Sequence, residues 1–193
     1  LYTGEYLLLT NTYSSNGQSM TLLDAEKNVK WSLPVGKYPK GIPGSDNSVY
    51  VQERFESKTL RKYALSGELL WSLPEFQTDQ LFVDKLGNVV SYQASGVIVR
   101  VTADGQRLPD VDLTEHGITR IEDMLVGQEG DLWILSTTEI GRLNSNDEYT
   151  TVFQQDLSAT YGNKFVMDVD GTIYISLKNQ YLMAVATQGQ GVA

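Results

Sequence analysis

The acidic residues of this sequence offer the most obvious chemistry. The segment MDVDGTIYI (167–175) places Asp168 and Asp170 before Gly171, a spacing that begins like an oxygen-rich calcium loop. A complete EF-hand loop needs a bidentate glutamate at its twelfth position, which counted from Asp168 is Asn179. An aspartate before a turn also commonly bonds its own backbone. We therefore predict a turn and no metal, with calcium at Asp168 and Asp170 as the alternative.

Further carboxylates and one histidine are candidates for catalysis or binding. Two carboxylates that converge on a cleft can hydrolyse a glycosidic bond, and four aspartates are expected on the innermost strands: Asp46, Asp84, Asp123 and Asp168. Glu122 and Asp123 form the most individual pair, and His116 is the only histidine. We expect no catalytic residue, and we name Asp123, Glu122 and His116 as candidate binding residues on the channel or loop face.

Composition excludes several classes of function. The 193 residues carry a net charge of −9, which disfavours nucleic acid and anionic lipid as partners. The sequence has no cysteine, so thiolate metal sites, disulfides and cysteine nucleophiles are absent. It also lacks the dinucleotide-binding, P-loop, H-E-x-x-H and G-x-S-x-G motifs. No apolar run approaches the roughly 20 residues that span a bilayer, so we expect no membrane insertion within this segment.

A repeat of about 40 residues determines where the candidate residues lie. A turn followed by a short apolar strand occurs five times, at spacings of 43, 40, 43 and 41 residues. The copies are GEYLLL (4–9), NSVYVQ (47–52), GNVVSY (87–92), GDLWIL (130–135, with Trp133) and GTIYIS (171–176). The Val, Leu, Ile, Tyr and Trp residues of these copies predict strands that are buried on both faces.

A second series of polar turns follows each copy by about 20 residues. It reads AEKN (25–28), LSGE (65–68), ADGQ (103–106), SNDE (145–148) and TQGQ (187–190). Gly67, Gly105 and Gly189 align with Lys27 and Asp147, at a position where a tight hairpin often requires positive φ. The segment WSLP follows the first two turns, which places Trp31 and Trp71 40 residues apart.

Each unit thus holds about four short strands, and helical periodicity is nearly absent; Ile118 to Val126 is interpreted as strand. This content predicts an all-β fold, a β-propeller of about five four-stranded blades with an incomplete first blade, either a ring or part of a larger one. A single domain over 1–193 is predicted, with units at about 1–35, 36–75, 76–112, 113–156 and 157–193. The missing first strand leaves an edge that could pair with another strand.

Two segments, LLDAEKNVKWSLP (22–34) and KYALSGELLWSLP (62–74), resemble the repeats of quinoprotein-type (PQQ-like) propellers. The segment GQEGDLWILSTTEIGRLNSN (127–146) is similar to the repeats of two-component-regulator and streptogramin-lyase-type propellers. The resemblance implies that the repeated tryptophan packs in the core against a neighbouring blade. The structural repeat positions are then Trp31, Trp71, Trp133, Gly67, Gly105 and Gly189.

The same resemblance bears on cofactor and activity. A quinone would need calcium ligands and a stacking tryptophan in a larger ring, whereas all three tryptophans here belong to repeat positions, so no cofactor is expected. Streptogramin-type lyases use histidine chemistry at the propeller centre, and His116 lies outside that position.

Three hypotheses for function stay open. The first is a non-catalytic binding, sensing or protein-interaction module within a larger, extracytoplasmic or cell-surface bacterial protein, whose ligand is a protein or small molecule. The second is an assembly scaffold that is completed by a strand from another segment or chain. The third is a lyase or glycoside-active enzyme.

Overall fold

The computed structural model describes residues 4–10, 18–36, 38–54, 57–127, 130–154, 164–177 and 181–187. These residues form eighteen strands and one short 3-10 helix, Thr114–His116. Within them, no helix has the length and apolar character needed to cross a membrane. The prediction of an all-β chain is confirmed.

The strands form five small sheets, and each sheet uses strands that are consecutive in the sequence. The first contains β1 (Tyr6–Leu9), β2 (Ser19–Leu23) and β3 (Val29–Pro34). The second contains β4 (Lys40–Pro43), β5 (Ser48–Glu53), β6 (Thr59–Ala64) and β7 (Leu69–Leu73). The third contains β8 (Gln80–Val83), β9 (Val89–Gln93), β10 (Val97–Val101) and β11 (Val111–Asp112).

The last two sheets continue this pattern. The fourth contains β12 (Ile121–Val126), β13 (Leu132–Ser136), β14 (Glu139–Leu143) and β15 (Tyr149–Gln154). The fifth contains β16 (Lys164–Met167), β17 (Thr172–Leu177) and β18 (Tyr181–Ala186). Strand order follows the sequence in every sheet, so β4, β8, β12 and β16 are edge strands. The prediction of about five small sheets is confirmed. Strand β12 lies within the segment Ile118 to Val126, for which the sequence predicts a strand rather than a helix.

The chain divides into two compact units, and the residues of the third sheet are divided between them. Residues 1–89 and 101–107 form the first unit, and residues 90–100 and 108–193 form the second. The first unit has a core cluster of Met20, Val49, Val51 and Tyr63. The second has a core cluster of Trp133, Leu135, Ile140, Phe165, Met167, Ile173 and Ile175. The single domain over 1–193 stays a prediction.

Burial differs between the inner and the terminal sheets. All residues of β5 and β13 are buried, because both faces of these strands are covered. In β9 every residue except the last is buried. The expectation of burial on both faces is wrong for β1 and β17. Tyr6, Leu8 and Tyr174 are exposed, since only the opposite face of each strand packs on a neighbouring sheet in the described residues.

The turns explain the spacing of the repeat. In the first series the turn residue has a φ of +57° to +84°, at Gly4, Asn47, Gly87, Gly130 and Gly171. In the second series φ is +65° to +92°, at Lys27, Gly67, Gly105 and Asp147, and Gly189 lies outside the described residues. Gly4 precedes β1; at each of the other positions the left-handed residue closes a hairpin and sets the register of the two strands beside it.

The two tryptophans of the WSLP segments make equivalent contacts with the turn of the next sheet. Trp31 Nε1 donates to the Leu65 carbonyl (2.8 Å), and its ring lies against Gly67. Trp71 Nε1 donates to the Ala103 carbonyl (3.1 Å), and its ring lies against Gly105. Both rings are half-buried rather than enclosed; Trp31 packs at the margin of the core cluster of the first unit, and both rings cover a turn of the neighbouring sheet.

An ion pair takes the place of this contact between the third and fourth sheets. Pro109 stands where the earlier repeats have tryptophan, four residues after the turn glycine. Arg100 instead binds Asp147, the turn residue of the fourth sheet, through Nη1 (2.6 Å) and Nη2 (2.9 Å). A bidentate arginine–carboxylate pair fixes orientation as well as distance. The turn is therefore held by a charged pair rather than by an indole.

The contact between Trp71 and Gly105 can be measured through two glycine substitutions. A Cβ at Gly105 (φ +92°) would lie 2.9 Å from Trp71 Cδ2, whereas a Cβ at Gly117 (φ +81°) would meet nothing within 4 Å. Gly117→Ala should cost about 1–2 kcal/mol of unfolding free energy, the ordinary cost of a left-handed residue. Gly105→Ala should cost about 1 kcal/mol more, because the ring must shift.

Urea denaturation of both variants, alone and with Trp71→Ala, tests this expectation. Trp71→Ala itself should cost about 2–4 kcal/mol. In its presence the excess cost of Gly105→Ala over Gly117→Ala should vanish, because the obstructing ring is gone. An equal cost of the two glycine variants in the native background would show that the indole does not rest on the turn.

Candidate binding cleft

A cleft lies where the edge strands of two sheets meet in the first unit. Strands β4 and β8 each form the edge of their sheet, and they lie against each other. The cleft between them has a volume of about 270 Å³. It is lined by Lys40, Gly41, Ile42, Gln80 and Leu81. Its walls thus combine a cation, an amide, two aliphatic side chains and a glycine.

Two side chains of the second sheet hold the segment that leads into β8. Lys40 Nζ donates to the carbonyl of Asp79, and Gln52 Nε2 donates to the carbonyl (3.2 Å) and the hydroxyl (3.3 Å) of Thr78. Lys40 and Gln52 are paired across β4 and β5, so their side chains share one face of the sheet. This anchoring fixes the position of Gln80 and Leu81 in the cleft wall.

Gln52 also has a buried polar atom that no described group satisfies. Its side chain is completely buried, and Oε1 has no hydrogen-bond partner in the described part of the chain. A buried polar atom without a partner is costly. This feature was not predicted from the sequence, because glutamine in a strand is ordinarily a surface residue.

Asp123, a predicted binding residue, lies in β12 of the second unit and is buried. Its carboxylate accepts hydrogen bonds from Lys164 Nζ (3.0 Å) and from the backbone N–H of Phe165 (3.4 Å). Both donors belong to β16, which lies against β12. Asp123 therefore joins the first strands of two neighbouring sheets.

Glu122 and His116 have different surroundings in the same unit. The Glu122 carboxylate is buried and accepts from Arg120 Nε (2.5 Å). His116 is exposed in the 3-10 helix, with its ring 5.1 Å from that of Tyr149. The Tyr149 hydroxyl donates to Glu139 Oε1 (2.8 Å); burial, together with this carboxylate, strongly raises the pKa of Tyr149. A binding function of Asp123, Glu122 and His116 stays a prediction.

The other predicted aspartates lie in turns, which corrects their assignment to the innermost strands. Asp46, Asp84 and Asp168 follow β4, β8 and β16. Oδ1 of Asp84 accepts from the backbone N–H of Leu86 (2.8 Å) and of Asn88 (2.9 Å). Side chains that bond their own turn are common at this position.

Asp168 makes the equivalent turn contacts. Its Oδ1 accepts from the backbone N–H of Asp170 (3.0 Å) and of Thr172 (2.9 Å). Among the described residues, no three histidine, aspartate or glutamate side chains are grouped for a metal ion. The turn interpretation accounts for Asp168, and calcium at Asp168 and Asp170 stays an untested alternative.

A buried lysine that the sequence did not single out joins the second sheet to the third. Lys62 Nζ donates to Asp46 Oδ2 (2.7 Å) and to the carbonyl of Ala103 (2.8 Å). The Tyr50 hydroxyl donates to the carbonyl of Gly87 (2.6 Å), and Lys62 Nζ lies 5.2 Å from the Tyr50 ring centroid. Burial alone would lower the pKa of Lys62, but the hydrogen bonds to Asp46 and Tyr50 raise it above 10.5.

Solved structures with the same arrangement of sheets identify the fold. One is titled "Streptogramin B lyase structure" (TM-score 0.67, 19% identity, 95% of this chain covered). Another is dihydro-heme d1 dehydrogenase NirN in complex with DHE (TM-score 0.73, 15% identity, 99% of this chain covered). A third is BamB from Moraxella catarrhalis (TM-score 0.58, 15% identity, 96% of this chain covered). The fold is a β-propeller. The resemblance to propeller repeats in the sequence is thereby confirmed.

These similarities show the fold and leave activity open. No family model and no curated protein matches the chain. The chain spans 65% of the lyase, 43% of NirN and 59% of BamB. The first two names state different activities, a lyase and a dehydrogenase, so the propeller fold alone does not determine activity.

The buried lysine predicts how stability depends on pH. Because the pKa of Lys62 is raised by folding, its contribution is complete below pH 10.5 and is lost as pH rises through the folded-state value. Burial also raises the pKa of Tyr50 above 10, which adds a loss in the same direction. Lys62→Met should cost about 2 kcal/mol at pH 7, the value of a charged hydrogen bond.

Denaturation between pH 7 and 12 tests this prediction. The free energy of unfolding should fall less steeply above pH 10 in Lys62→Met than in the native chain. Lys30→Met is the matched control, because Lys30 pairs with Glu5 at the surface and should contribute less than about 1 kcal/mol. Equal alkaline profiles for the native chain and Lys62→Met would contradict the assignment.

Proposed function

We propose that the chain is a non-catalytic ligand-binding module of a larger, extracytoplasmic bacterial protein, and that it binds its ligand in the cleft between β4 and β8. The observation that carries the proposal is the cleft itself: two edge strands border a volume of about 270 Å³ whose wall includes Lys40 and Gln80. Ligand sites in proteins are typically concave, with apolar walls and a few placed polar groups.

The surroundings of the candidate acids support a non-catalytic function. The Asp123 carboxylate accepts hydrogen bonds from β16, and the Glu122 carboxylate pairs with Arg120. Both carboxylates are thus bound by groups of the protein itself, whereas a general acid needs contact with the substrate. An enzymatic activity, lyase or glycoside-active, would support the other hypothesis if it were lost in Asp123→Asn.

Two observations support the extracytoplasmic bacterial setting. The chain has no cysteine, so its stability does not depend on the redox state of the compartment. One of the structurally similar proteins, BamB, comes from the bacterium Moraxella catarrhalis.

Ligand-observed NMR with a library of neutral, anionic and cationic fragments tests the site. Leu81→Trp fills the cleft and should abolish the binding of the fragments that occupy it. Leu86→Trp is the matched control, because Leu86 is exposed (72%) in the turn after β8, and it should leave binding unchanged. The proposal fails if no fragment binds the native chain, or if Leu81→Trp leaves every bound fragment in place.

An assembly scaffold is the second candidate, and the first sheet favours it. Strand β1 lies at the edge of this sheet, and its Tyr6 and Leu8 side chains are exposed (52% and 50%). A strand from a second copy of the chain could pair with this edge. Light scattering after size exclusion separates the two candidates: a scaffold of this kind forms dimers as concentration rises, and Leu8→Pro prevents them.

A further inference from the structure

In the second and fourth sheets, the fourth residue of the repeat copy faces the sheet that follows in the sequence. In the second sheet this residue is Tyr50, which is buried and whose hydroxyl donates to the carbonyl of Gly87 in the third sheet (2.6 Å). In the fourth sheet it is Trp133, which belongs to one core cluster with Phe165 and Ile173 of the fifth sheet. We call the side of a sheet that carries this residue its forward face.

The third and fifth residues of the repeat copy face the preceding sheet. Val49 and Val51 of the second sheet are buried in the core cluster of the first unit, against which Leu7 of the first sheet packs. Ile173 and Ile175 of the fifth sheet are buried in the cluster shared with the fourth sheet. Successive side chains of a strand point to opposite faces, so one strand contacts both neighbouring sheets. We call this second side the backward face.

The forward face of the fifth sheet is exposed. Tyr174 holds the fourth position of its copy, and Val166 and Ala184 lie opposite it on the two flanking strands. All three side chains are exposed, and so is Leu182, two residues before Ala184. The exposed fraction is 61% for Val166 and 71% for Leu182. Adjoining apolar side chains that are exposed on a protein surface commonly mark an interaction site.

The backward face of the first sheet is exposed as well. Tyr6 and Leu8 hold the third and fifth positions of their copy, and both side chains are exposed. Gly4, directly before this strand segment, has a φ of +81°, close to that of Gly87 (+82°), whose carbonyl accepts from Tyr50. The first sheet therefore has the residues and the turn geometry with which the inner sheets meet a preceding sheet.

We propose that these two faces bind each other between copies of the chain, so that the fifth sheet of one copy packs on the first sheet of a second copy. A second copy is the occupant that fits, because it presents Tyr6 and Leu8 at the positions that the second and fifth sheets bury against a preceding sheet. The two faces differ, so the contact is head-to-tail. A contact of one small sheet with another lies at the low end of interface size, so we expect a Kd above about 1 µM.

Sedimentation equilibrium of the native chain tests the association, over a range from about 10 µM to about 1 mM that covers weak binding. The weight-average mass should rise above that of the monomer, 21.5 kDa, as concentration rises. A head-to-tail contact can close into a ring or continue as an open series, and either form supports the inference. A mass that stays at 21.5 kDa over the whole range overturns it, and the faces are then covered by other parts of a longer protein or by a different protein.

Two variants, one for each face, separate this contact from pairing at the edge of β1. Tyr174→Lys and Leu8→Lys each place a charge in one face, and each alone should stay monomeric, because burying an unpaired charge is costly. Mixed in equal amounts, the two variants should form a 1:1 dimer, since each supplies the face that the other lacks. Leu86→Lys is the matched control, because Leu86 is an exposed leucine in a turn outside both faces, and it should associate like the native chain.

The outcomes also distinguish this inference from the function proposed above. Association that persists in Tyr174→Lys overturns the inference and assigns self-association to another surface, such as the edge of β1. Variants that stay monomeric when mixed overturn it too, because the two faces then do not bind each other. Circular dichroism checks that each variant is folded, and Val166→Lys replaces Tyr174→Lys on the same face if that variant does not fold. Ligand binding in the cleft is measured separately and does not depend on these results.

Discussion

The contact of an indole with the turn of the following sheet is the constraint on which the rest of the structure depends. A ring on the last strand of one sheet can lie flat on the next only where the turn has no side chain. Trp31 on Gly67 and Trp71 on Gly105 meet this condition, and each indole N–H bonds a carbonyl two residues before the glycine. The tryptophan and the glycine therefore form one contact, which recurs at the length of a blade.

Polar contacts also hold neighbouring sheets together, both where the indole is only half-buried and where it is missing. Lys62 of the second sheet donates to the carbonyl of Ala103, which also accepts from the Trp71 indole, so an ammonium and an indole bind the same turn. Arg100 binds Asp147 in the second unit, where the repeat has lost its tryptophan. Small sheets can thus be joined by different chemistry at equivalent positions, which explains how the sequence of the repeat can vary while the fold is kept.

The sequence was informative about local structure and weak about long-range contacts. Turn residues with positive φ, the strands beside them and the number of sheets all follow from patterns within about 40 residues. The placement of Asp84 and Asp168 in turns, rather than on inner strands, shows the limit: the same Asp–turn pattern fits both positions. The Arg100–Asp147 pair, the burial of Lys62 and the cleft at Lys40 involve residues 47, 41 and about 40 positions apart, and no local pattern specifies such pairs. The terminal sheets were misjudged because apolar residues in β1 and β17 look like those of strands that are covered on both faces.

Hydrogen exchange of the tryptophan indoles tests the central claim most directly. The chain has three tryptophans, so three indole N–H signals can be followed by NMR and assigned with Trp→Phe variants. The signals of Trp31 and Trp71 should both exchange much more slowly than a free indole, because each donates to a carbonyl of the next sheet. Exchange of either signal at the rate of a free indole would contradict the claim that these rings bind the sheets together.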